Sequence, residues 1–289
     1  VYFIHHVSNS IRASHVIEDV GRVLDGAIDR MYPEVTGPDS HPAREPARGE
    51  AGRPVRAARD GYLLSADADA LLRLAEREDL LVTVEACPGQ YLVKGDPVAT
   101  VWTSSTAGDA LRGRVLAAFD LSSQRTELQD VEFAVEQLVE VCLRALSPSI
   151  NDAFTAMNAI DRLSASLSRL VGRATPSPYR YSGSGRLRVI GRHPEIAAIV
   201  RLAFEQPRQG AIGQAAVCLR LLDAAAAIAR RARQPAVLEE LREQTQQIVE
   251  GSVGHLETES DRARLRDRQR HTLGVIADSF GDRRVSPAP

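Results

Sequence analysis

Val131-Glu132-Phe133-Ala134-Val135-Glu136-Gln137-Leu138-Val139-Glu140-Val141-Cys142-Leu143-Arg144-Ala145-Leu146 decides the architecture. Val131, Val135, Leu138, Cys142 and Ala145 recur at helical intervals, so one stripe is apolar while the opposite face carries charge. The spacing predicts an amphipathic helix over 127–146. It stops at Ser147-Pro148-Ser149-Ile150-Asn151-Asp152, where proline and small polar residues that bond nearby backbone replace the periodicity. A second helix is expected from Ala153 to about Val171, so the chain turns from one amphipathic helix into another and builds a helical body.

Downstream, Tyr179-Arg180-Tyr181 and Leu187-Arg188-Val189-Ile190, joined by Ser182-Gly183-Ser184-Gly185, read as a β-hairpin. Helices are expected over 194–205, 212–233, 236–251 and 257–279, with the apolar stretch Gln214–Ala229 at the centre of the core. Upstream, Ile17, Val20, Leu24, Ile28 and Met31 predict a helix over about 1–31, ended by Tyr32-Pro33. A Pro-, Gly- and Arg-rich linker follows over 34–52, then a small α+β module over 53–104. In that module, Pro88–Val101 places alternating apolar residues around Gly95-Asp96, a tight hairpin or sandwiched-strand pattern. The run resembles half of a biotinyl/lipoyl-type barrel in shape only, because Lys94 lacks a carrier-lysine signature and reads as a solvated strand residue.

The fold class expected is therefore α+β, mainly α: a small β-rich, half barrel-sandwich-like module, then a multi-helix domain with a β-hairpin. The expected divisions are a membrane-proximal helix (1–33), the linker (34–52), the module (53–104), the helical domain (105–282) and a disordered tail (283–289).

The 289 residues are 44% hydrophobic and 26% charged with a formal charge of -2, which is ordinary for a folded domain and gives no global attraction to nucleic acid. No stretch approaches the roughly 18 uninterrupted apolar residues of a membrane span. Cys87, Cys142 and Cys218 are far apart in apolar runs and read as core residues. The chain starts at Val1 and not at Met, with Tyr2 and Phe3 followed by His5 and His6, as where a membrane helix reaches the interface. The expectation is a portion of a longer protein.

Two constellations invite a functional reading. Ser147, Ser149, Asn151 and Asp152, with Asp130 at the other end of the helix, form a candidate ligand site; capping of the next helix accounts for the same residues. Glu132, Glu136 and Glu140 make an acidic strip, read either as a solvated face or as a cation-attracting or partner-binding one. Ser8, Arg12, His15 and Asp19 share a polar face without a complete ligand set, and Arg262, Arg266 and Arg270 align beside acidic neighbours. No phosphate loop, nucleophile elbow or dinucleotide fingerprint occurs, so no catalytic residue, metal or cofactor is assigned.

Tyr2-Phe3-Ile4-His5-His6, Gly61-Tyr62-Leu63, the Gln129–Asp152 block and Pro176-Ser177-Pro178-Tyr179-Arg180 together resemble the bacterial membrane proteins grouped as domain of unknown function 2254. The resemblance covers nearly the whole chain and is most specific in Gln129–Asp152. It implies several membrane spans before the Phe3-Ile4-His5-His6 sequence, so Val1–Ile4 is expected to be the end of the last. Ser149 stands where glycine is expected, Ala153 where proline is expected, and Pro207 is expected to interrupt a helix. The functional expectation is a cytoplasmic regulatory or assembly domain of a homo-oligomeric cell-membrane protein, in the channel or transporter class. The alternative is a membrane-tethered enzyme or ligand sensor using the Ser147–Asp152 junction.

Overall fold

The computed structural model describes residues 2–34, 52–103, 108–126 and 129–284, with side chains described between 13 and 281 of those ranges. The expected linker therefore lies almost wholly outside the described residues, and so do the side chains of Tyr2, Phe3, His5 and His6. In chain order, α1 (Tyr2–Met31) leads to β1 (Arg53–Arg56), β2 (Gly61–Ala66), α2 (Ala68–Arg77), β3 (Leu81–Val84), β4 (Tyr91–Leu92) and β5 (Pro97–Trp102). Next come α3 (Asp109–Leu116), β6 (Phe119–Ser122), α4 (Val131–Leu146), α5 (Ala153–Leu170), β7 (Tyr179–Tyr181) and β8 (Leu187–Ile190). The chain finishes with α6 (Ile196–Gly210), α7 (Ala215–Ala229), α8 (Pro235–Ser252), a short 3₁₀ turn and α9 (Glu259–Arg284). The class is α+β, mainly α.

Two compact units divide the chain, and neither is continuous in sequence. A helical unit takes Val1–Asp29, Ala134–Arg173 and Glu195–Pro289; a sheet unit takes Arg30–Phe133 and Ala174–Pro194. The hairpin placed by sequence in the helical domain is present, but β8 pairs in parallel with β3, Val82 opposite Val189, and so belongs to the sheet unit. Local periodicity carries no information about a partner about a hundred residues away, which is why the boundary at 104 was expected instead.

The sheet unit has a five-stranded sheet ordered β1-β5-β3-β8-β7 and a three-stranded sheet ordered β4-β2-β6. Leu63, Leu71, Val82, Leu92, Val98 and Val115 bury their side chains in one core drawn from both sheets, α2 and α3. The two arms around Gly95-Asp96 do not form a hairpin with each other: β4 pairs with β2, and β5 with β1 and β3. A turn passes the chain between sheets, closed by Asp96 N–H to Val93 O (2.9 Å) and Val93 N–H to Asp96 Oδ2 (2.8 Å). Lys94 is exposed, as expected, but it lies in this turn and not on a strand.

Tyr32, directly after α1, is 1% exposed and its hydroxyl has no hydrogen-bond partner among the described residues. Burial, then the nearby Glu132 and Cys87, holds its pKa far above the usual phenol value. An unmade hydrogen bond of a buried hydroxyl costs about 1–3 kcal/mol, so Tyr32→Phe is expected to raise stability by about 1 kcal/mol. A shift of the urea midpoint to higher concentration checks it, and a lowered midpoint would contradict the orphaned hydroxyl.

In the helical unit α7 is the buried centre, with Val217, Cys218, Leu221, Leu222, Ala225 and Ile228 at 1% exposure or less. It packs against α5, α8 and α9, while α6 packs on α8. Cys142 and Cys218 are core residues, and burial pushes the Cys142 thiol up to about 12, far from thiolate reactivity. In α1, Ile17, Leu24, Ala27 and Ile28 are buried. Beside them Asp25 accepts from Arg162 Nη2 and Ser166 Oγ, both at 2.7 Å, and Asp29 accepts from Arg169 and Arg173. Arg162, Ser166 and Arg169 lie on α5 and Arg173 just beyond it, so these pairs fasten α1 to α5 and to the residues that follow it.

Helix α6 continues through Pro207, where the sequence placed an interruption. Pro207 sits one turn from the helix end, is itself buried, and its carbonyl accepts Ala211 N–H at 2.9 Å. The lost donor is offset by apolar burial.

Candidate functional site

At the α4–α5 junction every backbone turn is closed from within. Ser147 Oγ donates to Arg144 O (2.8 Å), Ser147 O accepts from Asn151 N–H (2.8 Å) and Ile150 N–H (3.0 Å), and Asp152 N–H reaches Ala145 O (2.8 Å). Ser149 Oγ lies 3.3 Å from Ser147 Oγ. Asp152 is the N-cap of α5: Oδ1 accepts Thr155 N–H at 3.0 Å and Oδ2 the Thr155 hydroxyl at 2.7 Å. Asn151 has φ of 47°, the left-handed conformation that asparagine tolerates better than most side chains. Asp152→Ala is expected to cost about 1–2 kcal/mol, the usual worth of such a cap, whereas Asn151→Gly stays within a few tenths. Urea titrations of both variants check this, and equal losses would contradict the cap assignment.

Asp130 plays the same part at the start of α4. Its Oδ1 accepts Phe133 N–H at 2.9 Å, and its Oδ2 accepts from Arg125 at 2.8 Å, with the guanidinium 5.0 Å above the Phe133 ring. Asp130 belongs to the sheet unit and Ser147–Asp152 to the helical unit, at opposite ends of a 16-residue helix. Ser147, Ser149, Asn151 and Asp152 gather at the α4–α5 junction, and Asp130 caps the start of α4. Of the acidic strip, Glu140 pairs with Arg144 at 2.7 Å, and Glu132 lies near Tyr32 and Cys87. Asp19 pairs with Arg22, and the aligned arginines are paired too: Arg262 and Arg266 share Glu259, and Arg270 meets Asp267. Among the described residues no group of three or more His, Cys, Asp or Glu is placed to hold a metal ion.

The sheet unit holds a cavity of about 590 Å³ that sequence reasoning missed. Arg180 on β7 and Arg192 in the loop after β8 give it a cationic side, with His193 next to Arg192 in the same lining. Arg30 and Met31, in the last turn of α1, also line it, with Gln129 before α4. Arg180 Nη1 donates to Ser177 O (2.8 Å) and Tyr179 O (3.2 Å), and Arg192 Nη1 to Glu85 O (2.7 Å), so backbone carbonyls hold both guanidinium groups. Burial, then the charge of Arg180, lowers the His193 pKa and favours the neutral imidazole. Prolines, alanines, Val84 and Val189 supply apolar walls. Pro178 and Arg180 fall in one of the motifs singled out above, but the Gly191-Arg192-His193-Pro194 loop showed no periodicity or spacing to mark it. The arrangement offers charge and hydrogen bonds beside apolar side chains.

The family model described as a predicted membrane protein, DUF2254, matches residues 1–227. An uncharacterized protein of Mycobacterium bovis is 29% identical over 267 residues, which are 91% of this chain and 51% of that protein. Uncharacterized proteins from two strains of Mycobacterium tuberculosis match over the same length and coverage, at 29% and 28% identity. The chain thus spans about half the length of the curated relatives it matches. No solved structure matches it. No helix among the described residues is long and apolar enough to cross a membrane. With a match over most of its length, including the Gln129–Asp152 block and both arms of the cavity, the chain belongs to the DUF2254 family of predicted membrane proteins.

Proposed function

We propose that this chain is a regulatory or assembly domain of a membrane protein of the channel or transporter class, held at the cytoplasmic face. The supporting observation is α1, a 30-residue helix whose second half is fastened to α5 by Leu24 burial and the Asp25 and Asp29 ion pairs. In this reading its N-terminal turns lead to the bilayer, with Tyr2, Phe3, His5 and His6 at the interface, and its C-terminal turn reaches the sheet unit. A stiff helix of this kind passes displacement between a membrane segment and a folded domain. Membership of a predicted membrane protein family supports the setting, and the relatives' additional length leaves room for spans.

Fractionation of the full-length gene product tests it: membrane association that resists carbonate washing is expected, with a C-terminal fluorescent fusion bright only if the domain is cytoplasmic. Recovery in the cytosol overturns the reading. Self-association belongs to the same proposal, supported by Ile150 in the α4–α5 junction and Phe154 in the first turn of α5, which are 49% and 76% exposed. Light scattering on wild type and Phe154→Ser checks it, a monomeric wild type counting against it. The ligand-sensor alternative draws its support from the arginine-lined cavity, while the Ser147–Asp152 junction spends its polar groups on caps.

A further inference from the structure

We propose that the cavity between β7, β8 and the last turn of α1 binds a small, freely soluble organic anion, one phosphate or carboxylate group carried on an apolar body. Neither Arg180 nor Arg192 meets a carboxylate among the described residues; both are fixed by backbone carbonyls, which orient a guanidinium without cancelling its charge. No acidic side chain appears among the described residues that line the space. A concave surface with two oriented forks and no carboxylate in its lining favours an anion, and a bidentate oxyanion suits it. His193 and Gln129 add neutral hydrogen-bonding groups that choose among oxyanions. The rest of the lining includes Val84, Ala86, Pro88 and Val189, which offer no polar side chain. An inorganic ion would leave that surface wet, whereas an apolar body removes it from water. At about 590 Å³ the cavity falls inside the range of small-molecule sites, roughly 300–1,000 Å³. Arg30 and Met31 line the same space, so an occupant touches the end of α1.

The chain carries its own probes, because its two methionines, Met31 and Met157, fall one at the cavity and one in the helical unit. With ¹³C-methyl methionine in the whole chain, and Met157→Leu to assign the two signals, phenyl phosphate is expected to shift Met31 saturably and leave Met157 still. Benzyl alcohol, the neutral counterpart, is expected to leave both still, and inorganic phosphate to bind at least tenfold more weakly. Arg180→Gln and Arg192→Gln are each expected to weaken phenyl phosphate at least tenfold, while Arg220→Gln, at an exposed pair with Asp161 in the helical unit, changes nothing. If a cavity variant fails to fold, the wild-type methyl titration decides alone. A Met31 signal unmoved at millimolar phenyl phosphate, or moved equally by benzyl alcohol or inorganic phosphate, overturns the proposal. So does a response only to phosphatidylglycerol vesicles, which would make the ligand a bilayer headgroup.

Discussion

Gly89→Ala is expected to lower the unfolding free energy by about 3–4 kcal/mol. Gly89 has φ of 89°, and a Cβ built there would lie 2.3 Å from Asp130 Oδ2 and 2.7 Å from its Cγ. Positive φ costs an alanine about 1–2 kcal/mol by itself. The clash then displaces a carboxylate that is 3% exposed, caps α4 and pairs with Arg125, adding about 1 kcal/mol for the cap and a similar amount for the disturbed ion pair. Gly95→Ala is the control: φ is 102° but nothing lies within 4 Å of the added carbon, so only the backbone term of about 1–2 kcal/mol applies. Urea denaturation of both variants separates the contributions. Adding Asp130→Ala to Gly89→Ala should cost less than the sum of the single changes, and strict additivity would mean that the carboxylate and the glycine do not meet.

The second large effect is expected at Leu24, which is 0% exposed in α1. Leu24→Ala should cost about 3–5 kcal/mol, the transfer free energy of the removed atoms plus the cavity they leave. Val16, on the same helix but 47% exposed, should lose no more than about 0.5 kcal/mol on the same change. Asp25→Ala falls between them at about 2 kcal/mol, since it strands an Arg162 side chain that is 16% exposed but retains Ser166 at 2.8 Å and Glu18 at 3.7 Å. Circular dichroism against urea gives the three midpoints, and a Leu24→Ala midpoint close to that of Val16→Ala would show that α1 is not docked through this face. In the proposed function, a weakened dock would also uncouple the domain from whatever moves α1.

What could be read in advance was what is local. The stripe from Val131 to Ala145 gave α4, the apolar run around Leu221 gave the central helix, and Ser182–Gly185 gave the turn between β7 and β8. Pairing between distant segments could not be read: nothing at Val82 names Val189 as its neighbour, and Val115–Leu121, one apolar run in sequence, divides into the end of α3 and strand β6. The Ser147–Asp152 junction stays open between cap and ligand site in the sequence for a related reason. Asp130 and Asp152 were chosen for residue type, and the same carboxylates that bind ligands also cap helices; only the distances to Phe133 N and Thr155 N show which task occupies them. The hairpin that carries Arg180 and leads to Arg192 is legible, but the rest of the cavity, from Arg30 through Val84 to Gln129, comes from stretches that no spacing along the chain assembles.

The interruption of the sheet unit by the α4–α5 segment has a consequence during synthesis. β3 leaves the ribosome about a hundred residues before β8, which at 5–20 residues per second is roughly 5–20 s with one side of a central strand lacking its neighbour. Val82 and Thr83 face that gap, and an open edge of β-branched residues is a template for pairing with another nascent chain. Nascent copies crowded on one message would then compete with β8 for the same hydrogen bonds. The yield of folded protein should depend on translation speed between residues 85 and 187, and a fragment ending at residue 133 should aggregate even though every other strand of its sheets except β7 is present.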